Sequence, residues 1–420
     1  MKFCCLLCAA LMAVSAGCIV SEKEFAEAER RQGAHAILPE DLYSCTEYVP
    51  TGEGKAVRSG RPVLPVEWES IGFEQLWETR LRDREIVSMY FMNGNIFTQT
   101  RGHYFYKIRA KDGFVKWVYD LGNEISAEPF VYVYERELPG GPPVYDEIYV
   151  LCHDTLHCID EEEGFRVWAY ELRQPAASPP FASRSHVYYG GWDDRMRAID
   201  KKDLTQDWEY VTGGDIVAGG CQEDPSIYFA STDGKAYCAD ASRGTITWSF
   251  PCRGPVTSTP YLYNKRLYVG SQDFYLYAIK TDSTPVWKFP CESRVGSPIA
   301  IDSAKSGTTD LTMTVYCPTD NDYFLAIDRK DGKLRWKLKE GVKLLLVGRQ
   351  NSYVLTRNKE IAAVDNETGE LRWKKSFANV DFFMTNPADA RDIRLGKSDY
   401  CIYLGFKNGW IFAIREKEPF

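Results

Sequence analysis

The chain has 420 residues, 44% of them hydrophobic and 26% charged, enough for two average domains or one large closed repeat with a substantial core. Its net charge is -8 and no basic run stands out, which excludes the electrostatic footprint of a nucleic-acid binder. Aromatic residues reach 14%, with 26 Tyr and 11 Trp, a composition that suits pleated sheet.

Residues 1–17 read as an export signal: Lys2 gives a short positive start, and residues 3–14 form an apolar stretch too short to span a bilayer. The stretch closes on Val14-Ser15-Ala16-Gly17-Cys18, similar to the signal end of bacterial lipoproteins, in which the Cys becomes the lipidated first residue. Ser15 departs from the apolar residue usual there, so an ordinary secretory cut after Ala16 stays open as the alternative. Ile19 is not an Asp-type inner-membrane retention residue, which leans toward an outer-membrane anchor facing the periplasm. Residues 18–66 read as a tether, opening with a short predicted helix from Ser21, with Glu24 at capping-box spacing, and continuing without periodicity.

From residue 67 to 420 one feature recurs. Trp77, Trp117, Trp168, Trp208, Trp248, Trp287, Trp336 and Trp373 stand 40, 51, 40, 40, 39, 49 and 37 residues apart. Most follow an apolar strand and a polar turn, clearest in Ala326-Ile327-Asp328 leading to Gly332 and Trp336, and in Ala363-Val364-Asp365 leading to Gly369 and Trp373. Asp and Gly suit a tight turn, the first bonding its own backbone and the second permitting positive φ. One unit shows four strands: Val256–Leu262, Arg266–Gly270, Tyr275–Ile279 and Pro285–Phe289. Four strands in about 40 residues make a propeller blade, whose two faces are buried only by neighbouring blades. The last strand, Gly409–Ile414, has no Trp after it, while Trp77 has no strand before it. Pairing these ends closes an all-β, eight-bladed β-propeller with four antiparallel strands per blade and no free edge at the seam.

These turns resemble the PQQ-like repeat, apolar-Ala-Leu-Asp-x-x-Thr-Gly-x-x-x-Trp, over residues 70–420. Taken with the lipoprotein-like signal, the chain resembles the BamB family of outer-membrane assembly lipoproteins. The resemblance implies a scaffold binding protein partners in the cell envelope, with a membrane anchor, no nucleic acid and no cofactor. Quinoprotein dehydrogenases share the repeat, but their adjacent-cysteine disulfide has no counterpart beyond Cys4-Cys5 in the signal, so an enzyme is not expected.

Cys152-His153-Asp154-Thr155-Leu156-His157-Cys158 carries ligands that suit zinc, yet strand alternation sends neighbouring side chains to opposite faces. Packing is the expected role, with metal binding or a Cys152–Cys158 disulfide as alternatives. Cys252 and Cys291 lie at matching points of adjacent units, too far apart by blade geometry for an easy bridge. Acids recur in one inter-strand turn, at Asp154, Asp193, Asp194, Asp233, Asp273 and Asp320, where Asp is the ordinary turn former.

The period stretches in three places, all between the first and second strands of a unit. The inserts carry Pro139, Gly140 and Pro142; Ser306 and Asp310; and Pro387, Arg391 and Arg394. Inserts on a single face of a repeat array mark its binding side, so these residues are the candidate partner-binding loops. A small ligand or carbohydrate in the central funnel is the alternative function.

Overall fold

The computed structural model describes residues 46–50, 61–62, 68–81, 85–134, 146–296, 299–301, 314–320, 323–385 and 401–417. Cys18, the signal, the early predicted helix and all three inserts lie outside them.

Eight four-stranded antiparallel sheets form the ring, one of them extended by a fifth strand. Seven blades are continuous in sequence, and blades are numbered here from the one beginning at Ile86. Blade eight is assembled from both ends of the chain. Phe382–Thr385, Cys401–Gly405 and Trp410–Glu416 come from the C-terminal side, and Phe73–Leu81 supplies the outermost strand. Phe73 pairs with Glu416 and Arg80 with Trp410, so the expected closure is present. Thr46–Pro50 then adds to the outer edge of Phe73–Leu81, placing a strand within the segment that the sequence reads as tether.

Each sheet is apolar on both faces, as its middle strands show: Ser226–Ser231 and Lys235–Asp240 are buried through nearly their whole length. A blade alone would expose that surface to water, and stacking removes it. The core is accordingly eight slabs, one between each pair of neighbouring blades. Tyr149, Cys158, Val187 and Ile199 join blades two and three, and Leu345, Phe383, Trp410 and Phe412 join seven and eight.

The recurring tryptophans are pegs between these slabs. Their indole Nε1–H donates across the interface to a turn carbonyl of the next blade: Trp77 to Ala110 (2.9 Å), Trp117 to Glu161 (3.0 Å), Trp248 to Thr281 (2.9 Å) and Trp287 to Arg329 (3.0 Å). Trp208 and Trp336 do the same to Ala241 and Asn366 at 3.3 Å. The turn glycine lies beneath the ring. Gly244 has φ +67, and an added Cβ would stand 2.5 Å from the Trp208 indole. The turn's Asp fixes the remaining geometry: Asp365 Oδ1 accepts the backbone N–H groups of Glu367 (3.0 Å) and Thr368 (2.9 Å). Asp, Gly and Trp are thus three parts of one joint, which is why they recur together.

Two features depart from the sequence reading. The first strand of the fifth unit is only Tyr261–Tyr263, because Pro260 has no ladder donor and the side chains of Thr257 and Ser258 bond to Gln272 and to the Gly270 carbonyl. The joint for Trp168 has Leu204 at φ 51 in place of the glycine, and no indole bond spans it among the described residues.

Candidate functional site

Two places on the ring invite binding: the faces formed by the turns, and the axis. The expected partner loops can be located by their anchors. The inserts run from Tyr134 to Asp146, from Ile301 to Thr314 and from Thr385 to Cys401, each joining the innermost strand of a blade to the second. Alternating strand direction puts these connections on the same side of the ring as the Asp-Gly turns under the tryptophans. The opposite side carries the turns between second and third strands.

On that opposite side three of the recurring acids, Asp193, Asp233 and Asp273, are engaged within their own turns. Asp273 accepts from Tyr277 Oη (2.5 Å) and from the Tyr275 backbone N–H (3.1 Å), and Asp233 accepts from Tyr237 Oη and the Lys235 N–H. Asp193 chelates the Arg197 guanidinium. These three carboxylates are therefore each committed to a local donor. The same side presents Trp192, 65% exposed, and Phe274, large apolar side chains that the sequence reading passed over.

Within the cysteine-histidine cluster, Cys152, His157 and Cys158 are buried in the packing. Cys152 sits in the slab between blades one and two and Cys158 in the slab between two and three, so they occupy opposite faces of one sheet and cannot bridge. His153 turns outward at φ 55, and no group of three or more metal-ligand side chains exists among the described residues. Burial, with the Arg166 charge adding to it, depresses the His157 imidazole to about 4. Cys252 and Cys291 also occupy different slabs, and Cys291 instead contacts the Cys317 thiol of the next blade. No disulfide joins one described cysteine to another.

The axis is less uniform than the repeat implies. In blades two to six the innermost strands are two or three residues long, such as Phe181–Ala182 and Ala300–Ile301. In blades seven and one they are seven residues each, Gly341–Val347 and Ile86–Met92, and both are bulged. Along this arc lies a cavity of about 510 Å³ with walls that include Phe91, Ile299, Tyr316, Leu344 and Met384.

Two charges line that apolar cavity. Lys343 is the single cation of the run Gly341-Val342-Lys343-Leu344-Leu345-Leu346-Val347, and the bulge beside it re-aims its side chain inward. Its ammonium donates to the Phe383 carbonyl (3.1 Å) and reaches the Met384 sulfur (3.9 Å). Glu128, in the loop entering blade two, has no hydrogen bond or ion pair among the described residues. Desolvation pushes the Glu128 carboxyl above its ordinary value, and the Lys343 charge opposes that. Desolvation likewise lowers the Lys343 ammonium, and Glu128 opposes it in turn. A lone Lys in an apolar strand was the available sequence signal, while Glu128 gave none.

The ring, its split blade and the Asp-Gly-Trp joints define an eight-bladed β-propeller of PQQ-like repeats. A family model described as outer membrane protein assembly factor BamB matches residues 131–223, 213–339 and 283–415, and the chain belongs to that family. The solved structure of BamB from Moraxella catarrhalis is similar in fold, with a TM-score of 0.60 and 15% identity over 83% of this chain and 99% of that one. The computationally designed protein Ika8 is also similar, with a TM-score of 0.57 and 11% identity over 79% of this chain and 96% of that one. No curated protein sequence matches the chain.

Proposed function

We propose that this chain is a non-catalytic scaffold of the bacterial cell envelope, anchored through lipid on Cys18 and docking protein partners on the insert-bearing face of its propeller. The observation that carries the reading is membership of the BamB family across residues 131–415. That family's description names outer-membrane protein assembly, and the corresponding role here is to hold components of that machinery together. Three inserts anchored on one side of the ring fall where repeat arrays carry their binding side. Exposed Trp192 and Phe274 favour a second reading, in which the contact lies on the opposite face.

Photo-crosslinking amino acids placed at Gly140, Ser306 and Arg391, and separately at Trp192, distinguish the two in living cells. Capture of the outer-membrane barrel-assembly subunit from the insert positions supports the first reading. Capture from Trp192 alone moves the contact to the other face, and capture from neither overturns the scaffold role in assembly. Metabolic labelling with a palmitate analogue tests the anchor, with label expected on the native chain and absent from Cys18→Ser.

A further inference from the structure

We infer that the rim of blades six and seven is a docking surface for an anionic phospholipid bilayer, so that the ring stands edge-on to the membrane. The outermost strands of these blades are Leu334–Lys339 and Leu371–Ser376. The first carries Arg335, Lys337 and Lys339, the second Arg372, Lys374 and Lys375, and neither holds an acid. None of the other six outermost strands has more than one cation. Residues 328–375 together hold thirteen Lys and Arg against seven Asp and Glu, in a chain whose net charge is -8. In a ring of eight, blade three stands across from blade seven, and its outermost strand Gln206–Val211 carries Asp207 and Glu209 with no cation. The charge is thus polarised in the plane of the ring, which turns one rim toward a negative surface and the other away.

Part of this charge is committed locally: Arg335 pairs with Asp328, Arg372 with Asp365, and Lys374 with Glu340 and Glu360. Lys330, Lys339 and Lys375 are exposed, with no ion pair among the described residues. Lysines on an open strand edge also discourage pairing with another chain. Exposed leucines do not serve that end, yet Leu334 (42% exposed) and Leu371 (51%) occupy the same position of the two basic strands. Apolar side chains set among cations suit a lipid headgroup layer, where burial and attraction to anionic lipid add. The place on the ring agrees. Blade seven packs on blade eight, whose outer edge receives Thr46–Pro50, so the chain on the side of Cys18 meets the ring beside the basic rim. Edge-on docking leaves both faces of the propeller open to protein partners.

This deepens the anchored reading and rests on it for the orientation of the ring, while the attraction itself belongs to the folded rim. The test therefore uses the full chain carrying Cys18→Ser, so that no acyl chain contributes. Co-sedimentation compares vesicles of phosphatidylcholine alone with equimolar phosphatidylcholine and phosphatidylglycerol. A preference of about tenfold or more for the anionic vesicle is expected at low ionic strength, falling as salt is added. Lys330→Glu, Lys339→Glu and Lys375→Glu combined should abolish that preference. The same change of net charge at exposed Lys111, Lys202 and Lys280, through Lys111→Glu, Lys202→Glu and Lys280→Glu, should leave most of it. Equal partition between the two vesicles overturns the inference, as does an equal loss in the two triple variants, which would assign binding to net charge rather than to the rim. If the rim triple variant does not fold, Lys330→Glu, Lys339→Glu and Lys375→Glu taken singly decide, each expected to weaken anionic binding by about threefold or more. Failure of the palmitate labelling would remove the anchor and leave the vesicle result standing.

Discussion

Blade eight and the continuous blades achieve the same sheet by different means, and the difference shows what a turn contributes. In blade three a covalent turn joins the third strand to the fourth, and the ladder beyond it pairs Arg195 with Val211 through Ala198 with Trp208, then Ile199 with Gln206. Blade eight has no such turn, because its outermost strand, Phe73–Leu81, and its neighbour, Trp410–Glu416, are far apart in sequence. Its ladder is longer instead, with seven paired positions from Phe73–Glu416 to Arg80–Trp410 against five in blade three. Arg415 adds an ion pair to Glu74 across that seam (3.0 Å), and Lys417 N–H donates to the Gly72 carbonyl (2.9 Å). Removing the turn also removes the socket, so Trp373, facing blade eight, has no turn carbonyl among the described residues, whereas six other tryptophans do. It packs on Tyr353 at 5.9 Å between ring centroids.

The largest way to break this comparison is to take away the strand that replaces the turn. Truncation after Gly409 removes Trp410, Ile411, Phe412, Ala413 and Ile414, all fully buried, and leaves Phe73–Leu81 without its partner strand. Loss of the cooperative thermal transition is expected, and a truncated chain melting like the full one would mean that the seam does not hold the ring.

Acid is expected to act on a continuous blade. The His157 imidazole is depressed to about 4, below its ordinary value of about 6.5. Its neutral form is favoured by folding, so the stabilisation is complete above about pH 6.5 and is lost as pH falls toward 4. The shift corresponds to roughly 3 kcal/mol by linkage. Denaturant midpoints between pH 7 and 4 should therefore fall less steeply in His157→Phe than in the native chain.

Filling a joint has a comparable effect. Gly244→Val forces a branched side chain into positive φ and against the Trp208 ring, expected to cost about 3 kcal/mol. At the seam, Gly72 also has positive φ but nothing lies within 4 Å of an added Cβ. Gly72→Ala should then cost only about 1 kcal/mol of backbone strain. Equal losses in chemical denaturation would show that joint and seam are equally packed.

The smallest effect isolates the indole bond. Trp77→Phe removes a buried hydrogen bond to Ala110 and should lose about 1 kcal/mol more than Trp373→Phe, whose indole has no such bond among the described residues. A double comparison of their melting curves reads that difference directly.

The fold was legible because its signal is redundant. The joint needs Asp for the turn backbone, Gly beneath a ring and Trp nine residues after an apolar strand, so several joints betray the period even where Leu204 replaces the glycine. The axis was not legible. Its character depends on bulges in Gly341–Val347 and Ile86–Met92, and a bulge is a shift in pairing that a single strand's residues do not record. Glu128 belongs to a loop, and its place in the lining of the same cavity as Lys343 follows only from ring closure. The contact of Cys291 with Cys317 was hidden likewise, since the matching position in the preceding interface pairs Cys252 with Val269.

The strand Thr46–Pro50 has a mechanical consequence. Any tension transmitted along the chain from the N-terminal side enters the propeller there, at the outermost edge of blade eight. Five paired residues can be peeled from Phe73–Leu81 while the inner ladder, Phe73–Arg80 against Trp410–Glu416, stays intact. The edge strand can then serve as a sacrificial fastener that yields under load before the ring itself is opened.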